Sequence, residues 1–194
     1  KSLIFILKND GLYLKLLKPN IYEFKVDFLS SSLNYRRKFG GGKNQMLAKA
    51  FNLRKNKSQR ILDTTAGLGT DAFILSCLGS NVNMLERNPN VSLILENAIY
   101  RAKIASKDDM KLSEIISRMS FSNIDAISYI KSNNLDEYDA IYLDPMFPYP
   151  EKRSLSKKNM QLMQNLVGED IDYIDLLKES LGSSVSRVVL KRPK

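Results

Sequence analysis

Apolar positions recur with two different periods along the chain, and the period indicates which element each segment forms. Residues 23–28 alternate polar and apolar side chains, which is typical of a half-buried strand. The run Ala140–Leu143 is continuously apolar, as in a strand covered on both faces. Other apolar residues recur at helical spacing, for example Val91, Ile94, Leu95, Ala98, Ile99 and Ala102. This alternation of strand and helix patterns predicts an α/β fold.

The order of the patterns predicts two regions. Three short strands are predicted near the start, at 2–8, 11–17 and 22–28. Five more are predicted later, at 61–63, 82–86, 119–122, 140–144 and 185–190. Helical patterns separate the later strands, with a charged connection at 107–114, so we expect a doubly wound, mostly parallel sheet. We place a small β appendage, a loop and a helix over 44–52 in residues 1–58, and the main domain in residues 59–194.

The composition is that of a globular protein, since 43% of the 194 residues are hydrophobic and 26% are charged. No apolar run reaches the about 18 residues of a membrane span. One cysteine and no histidine exclude an intrachain disulfide, a histidine base and a zinc cluster. We therefore expect no metal, no membrane association and a cytoplasmic location. The sequence lacks an initiator Met and stops at Lys194, so we expect both ends to be trimmed.

The charge of the chain favours an anionic partner. Thirty Lys and Arg residues against twenty-one Asp and Glu residues give a net charge of +9, which favours binding to nucleic-acid phosphates. A basic surface that only maintains solubility is the alternative. The candidate phosphate contacts lie in short clusters and comprise Arg36, Arg37, Lys38, Lys152, Lys157, Lys158, Lys191 and Arg192.

Residues 34–43 combine one basic cluster with three consecutive glycines, at 40–42. Consecutive glycines disfavour helix and strand, so we expect a loop. Its amides and cations could hold phosphates while Tyr35 or Phe39 stacks on a base. A flexible hinge to the next helix explains the same residues equally well, and the residues alone leave both interpretations open.

Residues 61–72 predict a strand, a tight turn and a helix start, the arrangement that places a ligand over a helix N-terminus. Gly67 and Gly69 allow the backbone to approach a ligand closely. We expect Thr70 to cap the helix and Asp71 to favour its positive end. The segment is the centre of the predicted site.

Two ligand classes and one structural explanation fit this turn. A dinucleotide fingerprint fits with Ala72 in its third position, and a purely structural strand-to-helix turn fits as well. The loop is longer than in the dinucleotide fingerprint and begins with the acid Asp63. In that respect it looks like the first motif of S-adenosylmethionine-dependent methyltransferases.

Four acids lie at or just after predicted strand ends: Asp63, Glu86, Asp125 and Asp144. Because the carboxyl ends of parallel strands meet at one edge of a sheet, we expect these acids on one rim. Glu86 follows Gly69 by seventeen positions, close to where an acid binds ribose hydroxyls. Arg87 would cover an adenine face, and Asp125 and Ala126 would flank the ring. Taken singly, each acid is more often a helix cap or a solvated loop end, and their coincidence favours a binding site.

The segment 144–148, Asp-Pro-Met-Phe-Pro, is the second strong feature. Its prolines fix the backbone, and it resembles the Asp/Asn-Pro-Pro-aromatic loop of methyltransferases that modify amino groups of bases. Such an amine is a poor nucleophile, because its lone pair is delocalised into the ring. Asp144 and the Pro145 carbonyl could accept its two N–H groups and Asp144 its proton, while Phe147 stacks on the base. A base within a duplex would have to be flipped out. A plain proline turn is the alternative.

Together these motifs resemble the ribosomal RNA small subunit methyltransferase J family, which methylates the N2 of a guanine in 16S rRNA with S-adenosylmethionine. The resemblance rests on six stretches, at 36–42, 63–73, 84–89, 142–148, 166–168 and 188–193. It implies a Rossmann-like class I methyltransferase fold, with final strands expected after Lys194. It also implies that 16S rRNA or the small ribosomal subunit is the partner and that the loop at 34–43 binds substrate.

The resemblance assigns roles to particular residues. It implies that catalysis depends on Asp144, Pro145 and Phe147. It implies cofactor contacts from Thr70, Asp71, Glu86, Arg87, Asp125, Ala126 and Asp144. The glycine turn itself adds Asp63, Ala66, Gly67 and Gly69 to the predicted cofactor contacts. Three other functions stay open at this point: methylation of adenine or cytosine amines, nicotinamide-dependent oxidoreduction, and RNA binding without catalysis.

Overall fold

The computed structural model describes residues 3–17, 21–39, 46–53, 58–147, 166–168 and 170–192. The strands in these residues are β1 (Leu3–Lys8), β2 (Gly11–Leu16), β3 (Tyr22–Phe24), β4 (Arg60–Asp63), β5 (Asn81–Leu85), β6 (Met119–Ser122), β7 (Ala140–Leu143) and β8 (Val188–Leu190). The α-helices are α1 (Ser31–Phe39), α2 (Met46–Ala50), α3 (Thr70–Cys77), α4 (Pro89–Ala105), α5 (Met110–Ser117), α6 (Ala126–Ser132) and α7 (Tyr173–Gly182), with a 3-10 turn at Ser106–Asp108. None of these helices is long and apolar enough to cross a membrane.

The central sheet has the strand order β6-β5-β4-β7-β8, and all four strand pairs are parallel. The chain builds outward from β4 in one direction, through β5 and β6, and then returns to build outward through β7 and β8. The order therefore reverses between β4 and β7, which is where ligands bind in open α/β sheets. The predicted doubly wound parallel sheet is confirmed.

Both faces of this sheet are covered, which explains the continuously apolar β7. Its side chains alternate between two hydrophobic clusters, so Tyr142 packs in the same cluster as Phe73, and Ile141 in the same cluster as Ile130. All four β7 residues are buried. Helices α3 to α5 cover one face, and α6 and α7 cover the other.

The β appendage is an antiparallel sheet in the order β1-β2-β3, and it packs on α4. The Leu12 amide donates to Asn97 Oδ1 at 3.0 Å. The ring of Phe28 stacks on that of Phe73, with centroids 5.1 Å apart and planes 7° apart. The appendage therefore shares a hydrophobic core with the main sheet. The division at residue 58 stays a prediction.

Three predicted elements differ from the structure. Strand β3 ends at Phe24 rather than residue 28, because backbone groups that would continue the pairing bind side chains of α4 instead: the Leu12 amide donates to Asn97, and the Val26 carbonyl accepts from Arg101. The predicted loop at 34–43 is helical as far as α1 extends, while the glycines at 40–42 lie outside the described residues.

The third difference is helix α5, which occupies part of the predicted charged connection at 107–114. Asp109 caps it by accepting a hydrogen bond from the Leu112 amide at 2.9 Å. Leu112, Ile115 and Ile116 form its buried stripe, which the charged residues on the opposite face obscured in the sequence. A helix predicted to end at Gly168 lies outside the described residues except at its C-terminus.

Candidate active site

The turn between β4 and α3 is attached to β7 at the point where the strand order reverses. Both the amide and the Oγ1 of Thr64 donate to the Tyr142 carbonyl, at 3.0 and 2.8 Å. Gly67 and Gly69 have left-handed backbones, with φ of 52° and 69°. Gly69 rather than Thr70 occupies the N-cap position, and no side chain caps α3. The predicted Thr70 cap is therefore wrong.

The two glycines serve different purposes. Gly67 lines a pocket at the carboxyl ends of β4, β5 and β7. A Cβ at Gly69 would lie 2.7 Å from Leu95 Cδ1 and 3.1 Å from Phe28 Cζ. The absence of a side chain at Gly69 thus allows Leu95 and Phe28 to approach the backbone.

Glu86 lies at the end of β5, where its carboxylate holds two turns in place. Its Oε1 accepts from the Asn88 amide at 2.7 Å and its Oε2 from the Gly67 amide at 3.0 Å. Burial raises the pKa of Glu86, and these two hydrogen bonds oppose that rise. Each carboxylate oxygen has a second acceptor position, so Glu86, which lines the pocket, can still accept from a ribose hydroxyl.

The start of α6 forms another wall. Asp125 caps this helix, because its Oδ1 accepts from the amide and the hydroxyl of Ser128 at 2.9 and 3.0 Å. Asp125, Ala126 and Ile127 all line the pocket. Their methyl and methylene groups offer an apolar surface for a flat ring beside an acceptor. The predicted adenine contacts of Asp125 and Ala126 stay predictions, and the structure places both residues on the pocket wall.

Five of the other predicted cofactor residues do not line this pocket: Asp63, Ala66, Gly69, Thr70 and Asp71. Asp63 is buried directly beneath the turn, where its Oδ1 accepts from the Thr65 amide at 3.1 Å. The pKa of Asp63 is raised to about 8, chiefly by burial; the Thr65 hydrogen bond opposes the rise, and the nearby acids Asp71, Asp144 and Glu86 contribute to it. Cofactor contacts from these five residues stay predictions.

Asp144 occupies the corner after β7. Its amide donates to Thr65 Oγ1 at 2.6 Å, which joins this corner to the β4–α3 turn. Its Oδ2 accepts from Lys191 Nζ at 2.7 Å. Burial raises the pKa of Asp144, and the hydrogen bond and charge of Lys191 oppose that rise. Asp144, Pro145 and Met146 line the same pocket as Gly67 and Glu86.

Phe147, which follows this corner, does not itself line the pocket but contacts a residue that does. The Phe147 ring meets the Tyr173 ring edge-on, with centroids 5.1 Å apart and planes 67° apart. Tyr173 lines the pocket and begins α7. Pro148 lies outside the described residues, and the predicted stacking of Phe147 on a base stays a prediction.

Arg87 contacts acidic residues that the sequence analysis did not assign to the site. Its Nη1 lies 2.5 Å from Asp172 Oδ2, and its Nη2 lies 2.5 Å from Asp170 Oδ1. Both acids raise the pKa of the guanidinium. Asp170, Asp172 and Tyr173 were missed, although the acidic run from residue 169 to 172 was the available signal. The predicted contact of Arg87 with adenine stays a prediction.

Of the basic residues predicted to bind RNA, Arg37 lies away from the pocket. Arg37 is mostly buried and lies 2.6 Å from Asp109 Oδ2. It is also close enough to Cys77, the last residue of α3, to oppose the burial that raises the pKa of that thiol to about 11. Because α3 begins beside the pocket and has eight residues, Arg37 lies roughly 12 Å along the helix from it. Lys152, Lys157 and Lys158 lie outside the described residues.

Two predicted RNA contacts, Arg36 and Lys38, are exposed on α1, and Arg192 is exposed after β8. Lys191 is instead bound to Asp71 and Asp144, each at 2.7 Å. Within the described part of the chain, no group of three His, Cys, Asp or Glu side chains is placed to hold a metal ion.

The sheet and the pocket at its switch point define a Rossmann-like α/β protein, and a solved structure identifies the class. The crystal structure of a SAM-dependent methyltransferase from Neisseria gonorrhoeae aligns with a TM-score of 0.69 and 29% sequence identity. The alignment covers 100% of this chain and 72% of that one. The protein has the fold of the SAM-dependent methyltransferases.

The sequence comparisons identify the family within that class. A family model described as "Putative SAM-dependent methyltransferase" matches residues 1–194. Ribosomal RNA small subunit methyltransferase J from Vibrio vulnificus (strain YJ016) is 43% identical, over 92% of this chain and 71% of the relative. The protein of that name from Shewanella sediminis is 40% identical, over 91% and 67%. The chain belongs to the ribosomal RNA small subunit methyltransferase J family, and the family predicted from sequence is confirmed.

Proposed function

We propose that this protein transfers a methyl group from S-adenosylmethionine to the exocyclic N2 of a guanine in 16S rRNA. One observation carries the proposal: Gly67 and Glu86 on one side, and Asp144, Pro145 and Met146 on the other, line a single pocket. A methyl donor and a base amine bound at these two sides would therefore lie within one space.

The chemistry of the pocket wall fits the cofactor. Glu86 presents a buried carboxylate to which the two hydroxyls of a ribose can donate. Ala126, Ile127 and Leu176 supply apolar surface for adenine, beside the acceptor Asp125. Asp71 and Asp144 lie at the same corner, where their two carboxylates share the single ammonium of Lys191, and the remaining negative charge favours a cation such as a sulfonium. When bound, S-adenosylmethionine supplies an electrophilic methyl group.

Asp144, Pro145 and Phe147 would act on the base. Asp144 Oδ1 makes no hydrogen bond to a described residue, and the Asp144 carboxylate lines the pocket. This oxygen and the Pro145 carbonyl would accept the two N–H groups of the amine and orient its lone pair toward the methyl carbon. As the N–C bond forms, the pair of the breaking C–S bond stays with sulfur, and one N–H proton passes to Asp144.

The RNA would be held by charge outside the pocket. The net charge of +9 and the exposed Arg36, Lys38 and Arg192 support phosphate binding. The names of the relatives point to small-subunit ribosomal RNA, whose methylation would take place in the cytoplasm. We include the guanine specificity and this location in the proposal.

The test is transfer of labelled methyl from S-adenosylmethionine to rRNA, and to small subunits, from cells that lack this protein. Digestion of the product should yield labelled N2-methylguanosine. Asp144→Asn should lower the rate by at least about 100-fold, in line with the loss of a positioned base. Asp136→Asn, a change in an exposed loop, should leave the rate unchanged.

The outcome separates this proposal from the other functions. Label in N6-methyladenosine or N4-methylcytosine would replace the guanine assignment with another base amine. Tight NADH binding without S-adenosylmethionine binding in calorimetry would point to an oxidoreductase. RNA binding with no transfer to any form of rRNA would leave a non-catalytic module and overturn the proposal.

A further inference from the structure

Lys191 joins the ends of three elements beside the pocket. Its Nζ lies 2.7 Å from Asp144 Oδ2 after β7 and 2.7 Å from Asp71 Oδ2 in the first turn of α3. Its own amide donates to the Leu143 carbonyl at 2.8 Å, which continues the pairing of β8 with β7. The Lys191 side chain is therefore fixed at its backbone by pairing with β7 and at its ammonium by two carboxylates.

The charges around Asp144 explain what this contact does. Asp71 lies on α3, Asp63 is buried at the end of β4, and the Tyr142 hydroxyl donates to Asp71 Oδ2 at 2.7 Å. Lys191 is the cation that faces this acidic group among the described residues. Without it, the half-buried Asp144 would face the charge of Asp71 with no compensating cation among the described residues, and protonation of Asp144 would become favourable.

We propose that Lys191 is a positioning residue for methyl transfer: it holds Asp144 by one carboxylate oxygen and keeps the other oxygen, unprotonated, for the amine of the base. The inference rests on the proposed function, because it assigns Lys191 a role toward the amine acceptor. It replaces the sequence-based expectation that Lys191 binds an RNA phosphate.

The two possible roles of Lys191 predict different kinetic effects. The Lys191 ammonium gives two of its three N–H groups to carboxylates, which also compensate its charge, so it is a weaker phosphate ligand than a free lysine. A phosphate contact acts on RNA affinity, and thus on KM and its salt dependence. A positioning contact acts on the amine in the transition state, and thus on kcat and its dependence on pH.

Steady-state methylation by Lys191→Met, Lys191→Arg and the wild type tests this. We expect Lys191→Met to lower kcat at neutral pH by about ten-fold or more, with KM for the RNA unchanged. The acid limb of the kcat–pH profile of Lys191→Met should move to higher pH, because an Asp144 carboxyl without the ammonium has a higher pKa. Lys191→Arg should restore most of kcat. Lys131→Met, which removes a surface ammonium 3.1 Å from Glu179, should match the wild type.

The Asp71→Asn variant should shift the pH profile in the direction opposite to Lys191→Met. The charge of Asp71 raises the pKa of Asp144, so removing it while Lys191 remains should move the acid limb to lower pH. Opposite shifts in Lys191→Met and Asp71→Asn are not expected from general loss of structure. This variant also keeps the inference testable if Lys191→Met does not fold.

A measurement independent of activity separates this inference from the proposed function. The carboxyl ¹³C signal of Asp144, assigned by its loss in Asp144→Asn, can be titrated in protein labelled at aspartate. Its midpoint should be higher in Lys191→Met than in the wild type, whether or not any RNA is methylated. A Lys191→Met variant with unchanged kcat, pH profile and Asp144 midpoint, but a raised KM for RNA, would overturn the inference in favour of a phosphate contact.

Discussion

Asp170 and Met146 exchange two hydrogen bonds at the rim of the pocket. The Asp170 amide donates to the Met146 carbonyl at 2.9 Å, and the Met146 amide donates to Asp170 Oδ2 at 2.7 Å. The other oxygen of Asp170 accepts from Arg87 at 2.5 Å. Asp170 thereby connects the strand end that carries Glu86 with the loop that carries Asp144, so the two sides of the pocket are fixed relative to each other.

Asp170→Ala should therefore affect both stability and catalysis. It leaves the Met146 amide without its acceptor, which we expect to cost about 1–3 kcal/mol of unfolding free energy. Loosening of the loop should also lower kcat/KM. Asp172→Ala is the matched control, because it leaves no buried amide unpaired and its ion pair with Arg87 is partly exposed on both sides, where such a pair is worth about 0–1 kcal/mol. Urea unfolding followed by circular dichroism gives the comparison, and equal losses in the two variants would contradict this account.

The parts of this site that were predictable are those encoded by contiguous residues. The glycine turn and the corner at Asp144 each lie within a short segment, and periodicity placed both after parallel strands. The link between Lys191 and Asp71 spans 120 positions and depends on how β8 aligns with β7. The pairing of Arg87 with Asp170 likewise depends on where α7 packs.

Local composition also misled the prediction in two places. The glycines after Phe39 suggested a loop, yet the basic residues before them are helical because α1 buries Leu33 and packs on α3. Tertiary packing thus overrode local propensity. Thr70 was expected to cap α3, but Gly69 occupies the N-cap position. A side chain at Gly69 would meet Leu95 and Phe28. Sequence spacing alone cannot show these contacts.

Gly69→Ala should destabilise the fold rather than weaken cofactor binding directly. The left-handed backbone costs an added Cβ about 1–2 kcal/mol, and the contacts with Leu95 and Phe28 add about 1–3 kcal/mol of overpacking. Gly79→Ala is the matched control, because its φ is +96° but nothing lies within 4 Å of the added Cβ. Gly79→Ala should lose only the unfolding free energy that the left-handed backbone costs. A Gly69→Ala variant as stable as Gly79→Ala would show that the core accommodates the methyl group.

Glu86→Ala should raise the dissociation constant of S-adenosylmethionine by about ten-fold or more, through loss of the acceptor for the ribose hydroxyls. Glu86→Gln retains one oxygen acceptor and should have a smaller effect. Calorimetric titration measures the constants, and urea unfolding of each variant accounts for the Gly67 and Asn88 amides that the alanine leaves unpaired. An unchanged constant in a folded Glu86→Ala variant would place the ribose elsewhere.

The basic residues of α1 should separate into two functions. Arg36→Ala combined with Lys38→Ala should weaken RNA binding and reduce the slope of log K against log salt by up to about two, with stability unchanged. Arg37→Ala should instead lower stability by about 1 kcal/mol, because its guanidinium is largely buried against the partly exposed Asp109. Filter binding at several salt concentrations and urea unfolding measure the two effects. Loss of RNA affinity in Arg37→Ala alone would reverse the assignment.

Buried Asp63 should make the fold less stable as pH rises. Its carboxyl has a pKa of about 8 in the folded protein and about 3.9 in the unfolded chain. Between these values the folded state binds the proton and the unfolded state does not, so the unfolding free energy falls with pH, by at most about 1.4 kcal/mol per pH unit from this group. Glu86 and Asp144, whose pKa values are also raised by burial, contribute in the same direction. Asp63→Asn should flatten the profile between about pH 4 and 8 without abolishing it. Urea unfolding at a series of pH values measures this difference, and parallel profiles for the two proteins would show that Asp63 is ionised throughout this range.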